Sequence, residues 1–167
     1  MKTEFVSLDS LLLGGVSFYG DPFSIKSGWD IENEIGKTCN RFINFITENP
    51  ERIYSSHRQY LYEVHIYGSE TESKGYFEVF VGEEMNTARL PITLCTKFIA
   101  ASDYLKVTLN GTEITGDWSK TLDTEILPST GFKRNSTYII QAYDERFKGV
   151  DNIEDSVLDV YIPVEKK

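Results

Sequence analysis

The sequence contains few of the residues that build metal, redox or nucleic-acid sites. Its two cysteines and two histidines show neither the CxxC spacing nor the spacing of metal ligands. Seventeen Lys and Arg residues stand against 26 Asp and Glu residues, which gives a formal net charge of -9. Direct contact with nucleic acid requires a basic face for the phosphates. The composition therefore argues against a metal centre and against direct nucleic-acid binding.

The chain also lacks long apolar runs and the signatures of common enzymes. No stretch approaches the length of a transmembrane helix, and the first residues do not form a signal-peptide pattern. No phosphate-binding glycine loop, nucleotide fingerprint, HExxH motif or GxSxG motif is present. We therefore expect a cytoplasmic protein without a cofactor or membrane contact, and an enzyme is the less favoured interpretation.

Aromatic residues, by contrast, are plentiful. The 167 residues, 40% of them hydrophobic, suit one compact domain with a sizeable core. Thirteen per cent of the residues are aromatic, and aromatic side chains beyond the needs of a core often line concave surfaces. The acidic balance is mainly a solubility property, and it favours a cationic ligand or a basic protein surface over an anionic one.

The first half of the chain reads as strand, helix, strand, strand. An extended segment with a kink at residues 9–10 leads through a Pro- and Gly-containing loop into a helix. The apolar stripe of this helix spans residues 31–46, with Ser27 as its candidate cap and Pro50 as its end. Two strands separated by the polar segment "SETES" follow.

The second half repeats this order of elements. An extended segment with a break near residues 100–102 is followed by a short helix from Trp118, which Pro128 ends, and by two strands. The segment "YEVHIY" (62–67) can be laid over "YIIQAY" (138–143), with Tyr matching Tyr at both ends and His65 matching Gln141. The shared order favours duplication.

Duplication predicts the fold class. We expect an α+β domain spanning residues 1–167, with halves of approximately 1–88 and 89–167. Each half would form a βαββ unit, and the two units would pair side by side about a pseudo-twofold axis. The resulting antiparallel sheet would carry two helices on one face and a ligand groove.

Alternation along the four inner strands predicts two different faces of the sheet. The aliphatic face, where the helices are expected to pack, holds Val64, Ile66, Val79, Val81, Ile140, Ala142, Val160 and Ile162. The aromatic face holds His65, Tyr67, Glu78, Phe80, Gln141, Tyr143, Asp159 and Tyr161. Glu63 is assigned to the face opposite Gln141.

The aromatic face is the predicted ligand-binding surface. A solvated face, which is the alternative, usually carries Lys, Glu, Thr and Ser. Aromatic walls with a few convergent polar groups suit a small-molecule pocket. The predicted ligand-binding residues are Gln141, Tyr143, His65, Tyr67, Phe80, Tyr161, Glu78 and, at the groove edge, Trp29. Core packing for Trp29 and a structural hydrogen bond for His65 remain the alternatives.

Several segments in order resemble the GyrI-like small-molecule-binding family. They are "VHIYG", "KGYFEVFVGEE", "LPITLCTKFIAASDYLKV", "ILPSTGF", "YDERFKG" and "DVYIPV", and the resemblance runs from about Leu11 to Val164. It implies a duplicated βαββ fold with a groove for amphipathic, often cationic, aromatic compounds. The same module is the effector-binding domain of some AraC-type and MerR-type bacterial regulators, whose members sense drugs.

The resemblance also places the family's pocket glutamate on Gln141, with Tyr143 and Asp144 matching the pattern. A buried carboxylate selects a cation, whereas an amide does not. The groove is therefore expected to take a neutral or zwitterionic amphipath, or a cation paired with another acid. On this basis Gln141→Glu should raise the affinity for cationic dyes.

Three functions are compatible with these observations. The favoured one is a stand-alone effector-binding domain for amphipathic aromatic molecules, linked to transcription regulation or to drug and toxin sensing. A protein-interaction module that protects a DNA-associated enzyme such as gyrase is the first alternative. A small-molecule hydrolase is the second, for which His65 or Glu78 would have to serve as the base in place of Gln141.

Overall fold

Nine strands and three short α-helical segments make up the described part of the molecule. The computed structural model describes residues 1–49, 60–85, 90–135 and 137–167. The strands are β1 (Lys2–Leu8), β2 (Leu11–Gly20), β3 (Leu61–Tyr67), β4 (Phe77–Glu84), β5 (Cys95–Ile99), β6 (Ser102–Asn110), β7 (Phe132–Arg134), β8 (Tyr138–Tyr143) and β9 (Val157–Lys166). The α-helices are α1 (Glu34–Glu48), α2 (Ser69–Lys74) and α3 (Trp118–Thr121).

The strand order confirms the predicted duplication. The antiparallel sheet runs β1-β6-β9-β8-β3-β4-β2-β5, and β7 pairs with β9 outside this path. When each strand is replaced by its counterpart in the other half, the result is the same strand order read from the opposite edge of the sheet. The pseudo-twofold axis lies at the Val64–Ile140 pair, because these two residues are counterparts in the two halves and also face each other across the strands. On either side of them, the Glu63–Gln141 pair corresponds to the Ile139–His65 pair. The predicted boundary between residues 88 and 89 lies outside the described ranges.

Two breaks in the strands make the sheet curl. Asp9 and Ser10 separate β1 at one edge from β2 near the other, and residues 100–101 separate β5 from β6 in the same way. Both breaks fall where the sequence predicts them. The two edges are thereby brought together, and side chains from both share a core with the centre of one sheet face. Its buried members are Leu13, Tyr62, Val64, Phe80, Ile99, Tyr104, Ile140 and Ala142.

Helical segments cover the other face. Helix α1 buries Phe42 against Val16, Val79 and Val81 of β2 and β4. In the second half α3 continues into a π-helical turn (Leu122–Ile126) and a 3-10 turn (Leu127–Ser129). Leu122 and Leu127 of these turns pack on the inner side chains of β6 and β9. Because the two helical units lie on either side of the pseudo-twofold axis, a gap is left between them above β3 and β8.

Helix α1 begins later than the sequence predicts. Asn33, not Ser27, is its N-cap: the Asn33 side chain accepts a hydrogen bond from the Gly36 backbone N–H at 2.9 Å. Asp21 and Asp30 each accept a bond from the backbone two residues later, which holds residues 21–33 as a turn-rich loop. Pro50, the predicted end, lies outside the described residues, and the segment "SETES" forms helix α2 instead of a plain turn.

Candidate functional site

A cavity of about 710 Å³ lies between the two helical units and the sheet. Strands β3 and β8 supply its floor, α1 and the loop before it form one wall, and α3, β7 and the segment after β8 form the other. Its lining is mostly apolar and aromatic, with a few polar groups. A space of this size and character suits a small organic molecule.

A buried carboxylate lies at the centre of the cavity floor. Glu63 is only 4% exposed, and directly across the strand pair it faces Gln141. Its Oε1 accepts hydrogen bonds from His65 Nε2 at 2.7 Å and from Gln141 Nε2 at 2.9 Å. Its Oε2 accepts from Tyr143 OH at 3.3 Å and from the thiol of Cys39 at 3.5 Å. These donors fix the carboxylate in place while leaving its charge without a Lys or Arg contact in the described structure.

The environment keeps two of these donors protonated. Burial raises the pKa of the Cys39 thiol well above its ordinary value, and the charge of Glu63 raises it further. Burial likewise raises the pKa of Tyr143, again with a contribution from Glu63. At neutral pH both groups therefore act as hydrogen-bond donors to Glu63, and the Cys39 thiol is not a nucleophile.

Aromatic rings surround this carboxylate on two sides. Phe147 stacks edge-on against Tyr143, with 4.8 Å between ring centroids, and lies 6.2 Å from Trp29. On the other side Phe77 lies 5.1 Å from His65 and 5.5 Å from Tyr67. Trp29 is 38% exposed, which places it at the mouth, as the sequence suggests. The rings present faces and edges to a ligand above Glu63.

The segment that carries Phe147 is anchored on the face of the sheet opposite the cavity, called here the anchor beneath the sheet. Arg146 donates to Asp144 Oδ2 at 2.7 Å and to Asp159 Oδ2 at 2.6 Å. The nearly fully buried Asp159 also accepts from Thr108 Oγ1 at 2.7 Å. This network ties the turn after β8 to β9 and β6, and it thereby fixes one wall of the cavity.

The structure separates the predicted site residues into two groups. The cavity is lined by Gln141, Tyr143, His65, Tyr67 and Trp29. The other three, Glu78, Phe80 and Tyr161, belong to the opposite face of the sheet, so their predicted position beside Gln141 is wrong. The register explains the error: His65 pairs with Val79 and Gln141 with Val160, so the odd-numbered residues of β4 and the even-numbered residues of β9 face the cavity.

The displaced residues have other surroundings. Phe80 is fully buried in the core of the curled sheet. Glu78 binds Lys97 Nζ at 2.8 Å, and Tyr161 lines a smaller space of about 270 Å³ with Tyr60 and Tyr62. The predicted aliphatic face is likewise divided, since Val79, Val81, Val160 and Ile162 pack under the helices and the rest do not.

Glu63 lines the cavity although the sequence predicts it on the other face of the sheet. Its assignment to the face opposite Gln141 is wrong, because Gln141 donates directly to it. The available signal is simple: Glu63 and His65 are two residues apart on one strand and therefore share a face. Cys39, Phe147 and Arg134 also line the cavity, and nothing in strand alternation identifies them because they come from other elements.

Other types of site receive no support from the described ranges. They contain no group of three or more His, Cys, Asp or Glu side chains that could hold a metal ion. Within the same ranges, no helix has the length and apolarity needed to cross a membrane. His57 lies outside them.

Comparison with known proteins gives a family and a fold. A family model described as integron-associated effector binding protein matches residues 4–164. The structure is similar to SAV2435 bound to tetraphenylphosphonium, with a TM-score of 0.63, 12% identity, and coverage of 99% of this chain and 94% of that one. No match was found among curated protein sequences.

Two further structures are similar over nearly their whole length. The first is an integron cassette protein from the mobile metagenome of Vibrio cholerae, with a TM-score of 0.63, 12% identity, and coverage of 98% and 95%. The second is the C-terminal domain of EcmrR, with a TM-score of 0.65, 11% identity, and coverage of 99% and 98%. Together with the family model they confirm the GyrI-like resemblance and the duplicated α+β fold.

Proposed function

Because this chain belongs to the family of integron-associated effector binding proteins, we propose that its cavity captures amphipathic aromatic cations. The observation that carries the proposal is the buried Glu63 carboxylate on the floor of an aromatic cavity. A buried charge without a counter-charge is costly. A ligand cation removes that cost, and the surrounding rings bury its apolar surface.

The geometry also favours a particular kind of cation. The donors from Gln141, Tyr143 and Cys39 already occupy the oxygens of Glu63. A cation with N–H groups would have to displace them to form hydrogen bonds. A shielded cation without N–H donors, such as a phosphonium or a quaternary ammonium that carries aryl groups, needs only proximity to the charge and contact with the rings. Similarity to a protein bound to tetraphenylphosphonium supports this choice of class.

Binding is favoured over hydrolysis for the same reasons. The carboxylate that could act as a general base holds four hydrogen-bond donors, and the Cys39 thiol in contact with it is protonated at neutral pH. Proton abstraction would first require this cluster to break. We further infer that the captured molecule is an effector, as the family's description indicates, and that this domain presents it to a partner involved in transcription regulation.

Titration with tetraphenylphosphonium tests the proposal. We expect Glu63→Gln to weaken its binding about 10- to 100-fold, because a charge interaction at an effective protein dielectric is lost. Binding of the neutral triphenylphosphine oxide should change little. The matched control is Glu78→Gln, which removes an acid from the opposite face of the sheet and should leave both affinities unchanged.

A double variant that moves the carboxylate across the strand pair tests whether the buried charge itself binds the cation. In the double variant Glu63→Gln/Gln141→Glu, the acid sits opposite its former position, so most of the phosphonium affinity should return. Gln141→Glu alone should add little, contrary to the expectation from the sequence, because two carboxylates about 3 Å apart do not both ionise. Equal phosphonium affinity in wild type, Glu63→Gln and the double variant would refute a role for this charge.

A further inference from the structure

The cavity has a second charged end, formed by Arg134 on β7. Its side chain lines the cavity and is 19% exposed. Arg134 Nε donates to Asp123 Oδ1 at 2.7 Å, and its Nη2 donates to Ser119 Oγ at 2.8 Å. Its Nη1 makes no hydrogen bond to any residue within the described ranges. Because a guanidinium carries five N–H donors in a planar fork, one edge remains available to a ligand.

Two hydroxyl-bearing residues line the same cavity as Arg134, namely Ser119 and Tyr67. The Ser119 hydroxyl accepts from Arg134 while keeping its own O–H to donate. The Tyr67 hydroxyl donates to no other described residue. Burial raises the pKa of Tyr67 to about 12, the charge of Arg134 lowers it and that of Glu63 raises it, so both charges act on this hydroxyl within one cavity.

Asp123 neutralises the charge of Arg134 only in part. Its side chain is 49% exposed and bonds only the Nε side of the guanidinium among described groups. Water therefore screens the Asp123 charge, whereas the Arg134 side chain, which is 19% exposed, is less hydrated. An anionic oxygen entering from the cavity would gain charge-assisted hydrogen bonds there.

We propose that Arg134, Ser119 and Tyr67 form an anion subsite, so that the preferred ligand is a dipolar amphipath with an aromatic cation at Glu63 and a carboxylate-bearing tail at Arg134. This rests on the proposed function, because the cation at Glu63 orients the molecule. It names a narrower ligand class than aromatic cations alone. The two charges of the ligand then match the two charged ends of the cavity.

Two phosphonium ligands that differ only at the tip of one chain test the subsite. They are pentyltriphenylphosphonium and its carboxybutyl analogue, in which a carboxylate replaces the terminal methyl group. By calorimetry at neutral pH, we expect wild type to bind the carboxylate compound about fivefold more tightly, as fits a partly exposed charge-assisted bond. Arg134→Gln should reduce the affinity ratio to about one, because only the carboxylate compound loses a charge-assisted hydrogen bond.

Two further variants keep the test decisive if Arg134→Gln fails to fold. Asp123→Asn frees the guanidinium and should increase the affinity ratio, and Arg134→Lys, which keeps the charge but loses the fork, should give an intermediate ratio. Equal binding of the two ligands by wild type, or a ratio unchanged across these variants, overturns the subsite while leaving the proposed function intact. Failure of both ligands to bind overturns both.

Discussion

Cys39 and Glu63 form the most informative residue pair in the cavity. The thiol donates a hydrogen bond to a carboxylate that no Lys or Arg of the described structure contacts, and the charge of Glu63 adds to burial in raising the pKa of the thiol. Cys39 lies within the apolar stripe that predicts helix α1, and it packs against the core beneath that helix. The stripe does not reveal the hydrogen bond to Glu63, because Glu63 lies on a strand that sequence spacing does not connect to the helix.

Thiol alkylation measures the effect of Glu63 on the reactivity of Cys39. At neutral pH we expect iodoacetamide to modify the exposed Cys95 first and Cys39 far more slowly, because the thiolate is the reactive species. Glu63→Gln removes two of the causes that raise the pKa of Cys39, so the rate at Cys39 should increase while the rate at Cys95 stays constant. Unchanged Cys39 reactivity in this variant would show that burial alone controls the thiol.

At the scale of elements, the sequence predicts which strands and helices form, and in what order, better than it predicts the sheet face on which each side chain lies. Both kinked strands, helix α1 apart from its later start, the second helical segment and the four inner strands occur where the pattern places them. Alternation divides each strand into two sets of residues, but it does not say which set of β4 lies beside which set of β3. That choice depends on register, and a shift of one residue exchanges the faces. Phe80 and Tyr161 were misplaced for this reason.

A pair of glycines shows how closely β2 approaches β4. Gly15 lies opposite Gly82 in the register, and a Cβ added to Gly15 would contact the backbone of Val81 and come within 2.6 Å of Gly82 Cα. Backbone cannot move aside as a flexible side chain can. No side chain is tolerated here without displacing one of the strands.

Gly15→Ala should therefore destabilise the protein by about 1–3 kcal/mol, which is the usual cost of overpacking. Thermal unfolding should detect this as a lower Tm, by about 2–4 °C for each kcal/mol in a chain of this size. Gly131→Ala is the matched control, because an added Cβ at Gly131 meets no atom within 4 Å. An equal Tm for the two variants would contradict the close approach.

At the scale of the whole molecule, acid stability depends on the anchor beneath the sheet. Burial by itself raises the pKa of Asp159, but hydrogen bonds from Thr108 and Arg146 and the charge of Lys106 outweigh it, and the pKa lies below its ordinary value of 3.8. A carboxyl whose pKa is lower in the folded state contributes stability above its unfolded-state pKa. That contribution is lost as the pH falls through the folded-state value.

We expect the free energy of unfolding to decline as the pH falls below about 4, and Asp159→Asn to flatten this decline while lowering stability at neutral pH. Urea unfolding at several pH values would measure both effects. Glu165→Gln is the control, since its half-exposed pair with Lys133 contributes little. If Asp159→Asn and wild type lose stability in parallel below pH 4, another carboxyl governs acid unfolding.

The pseudo-twofold axis runs through the floor of the cavity, yet its two sides differ. Exchange of the halves would bring Ile139 to the place of Glu63 and His65 to that of Gln141. In a truly symmetric pocket, a ligand could bind in two equivalent poses, with a degeneracy worth about 0.4 kcal/mol, a factor of two in the binding constant. Here Glu63, whose counterpart in the other half is Ile139, removes that degeneracy. The pocket is thus asymmetric in its recognition although the strand order of its scaffold is symmetric, and a bound molecule has one orientation relative to the two halves.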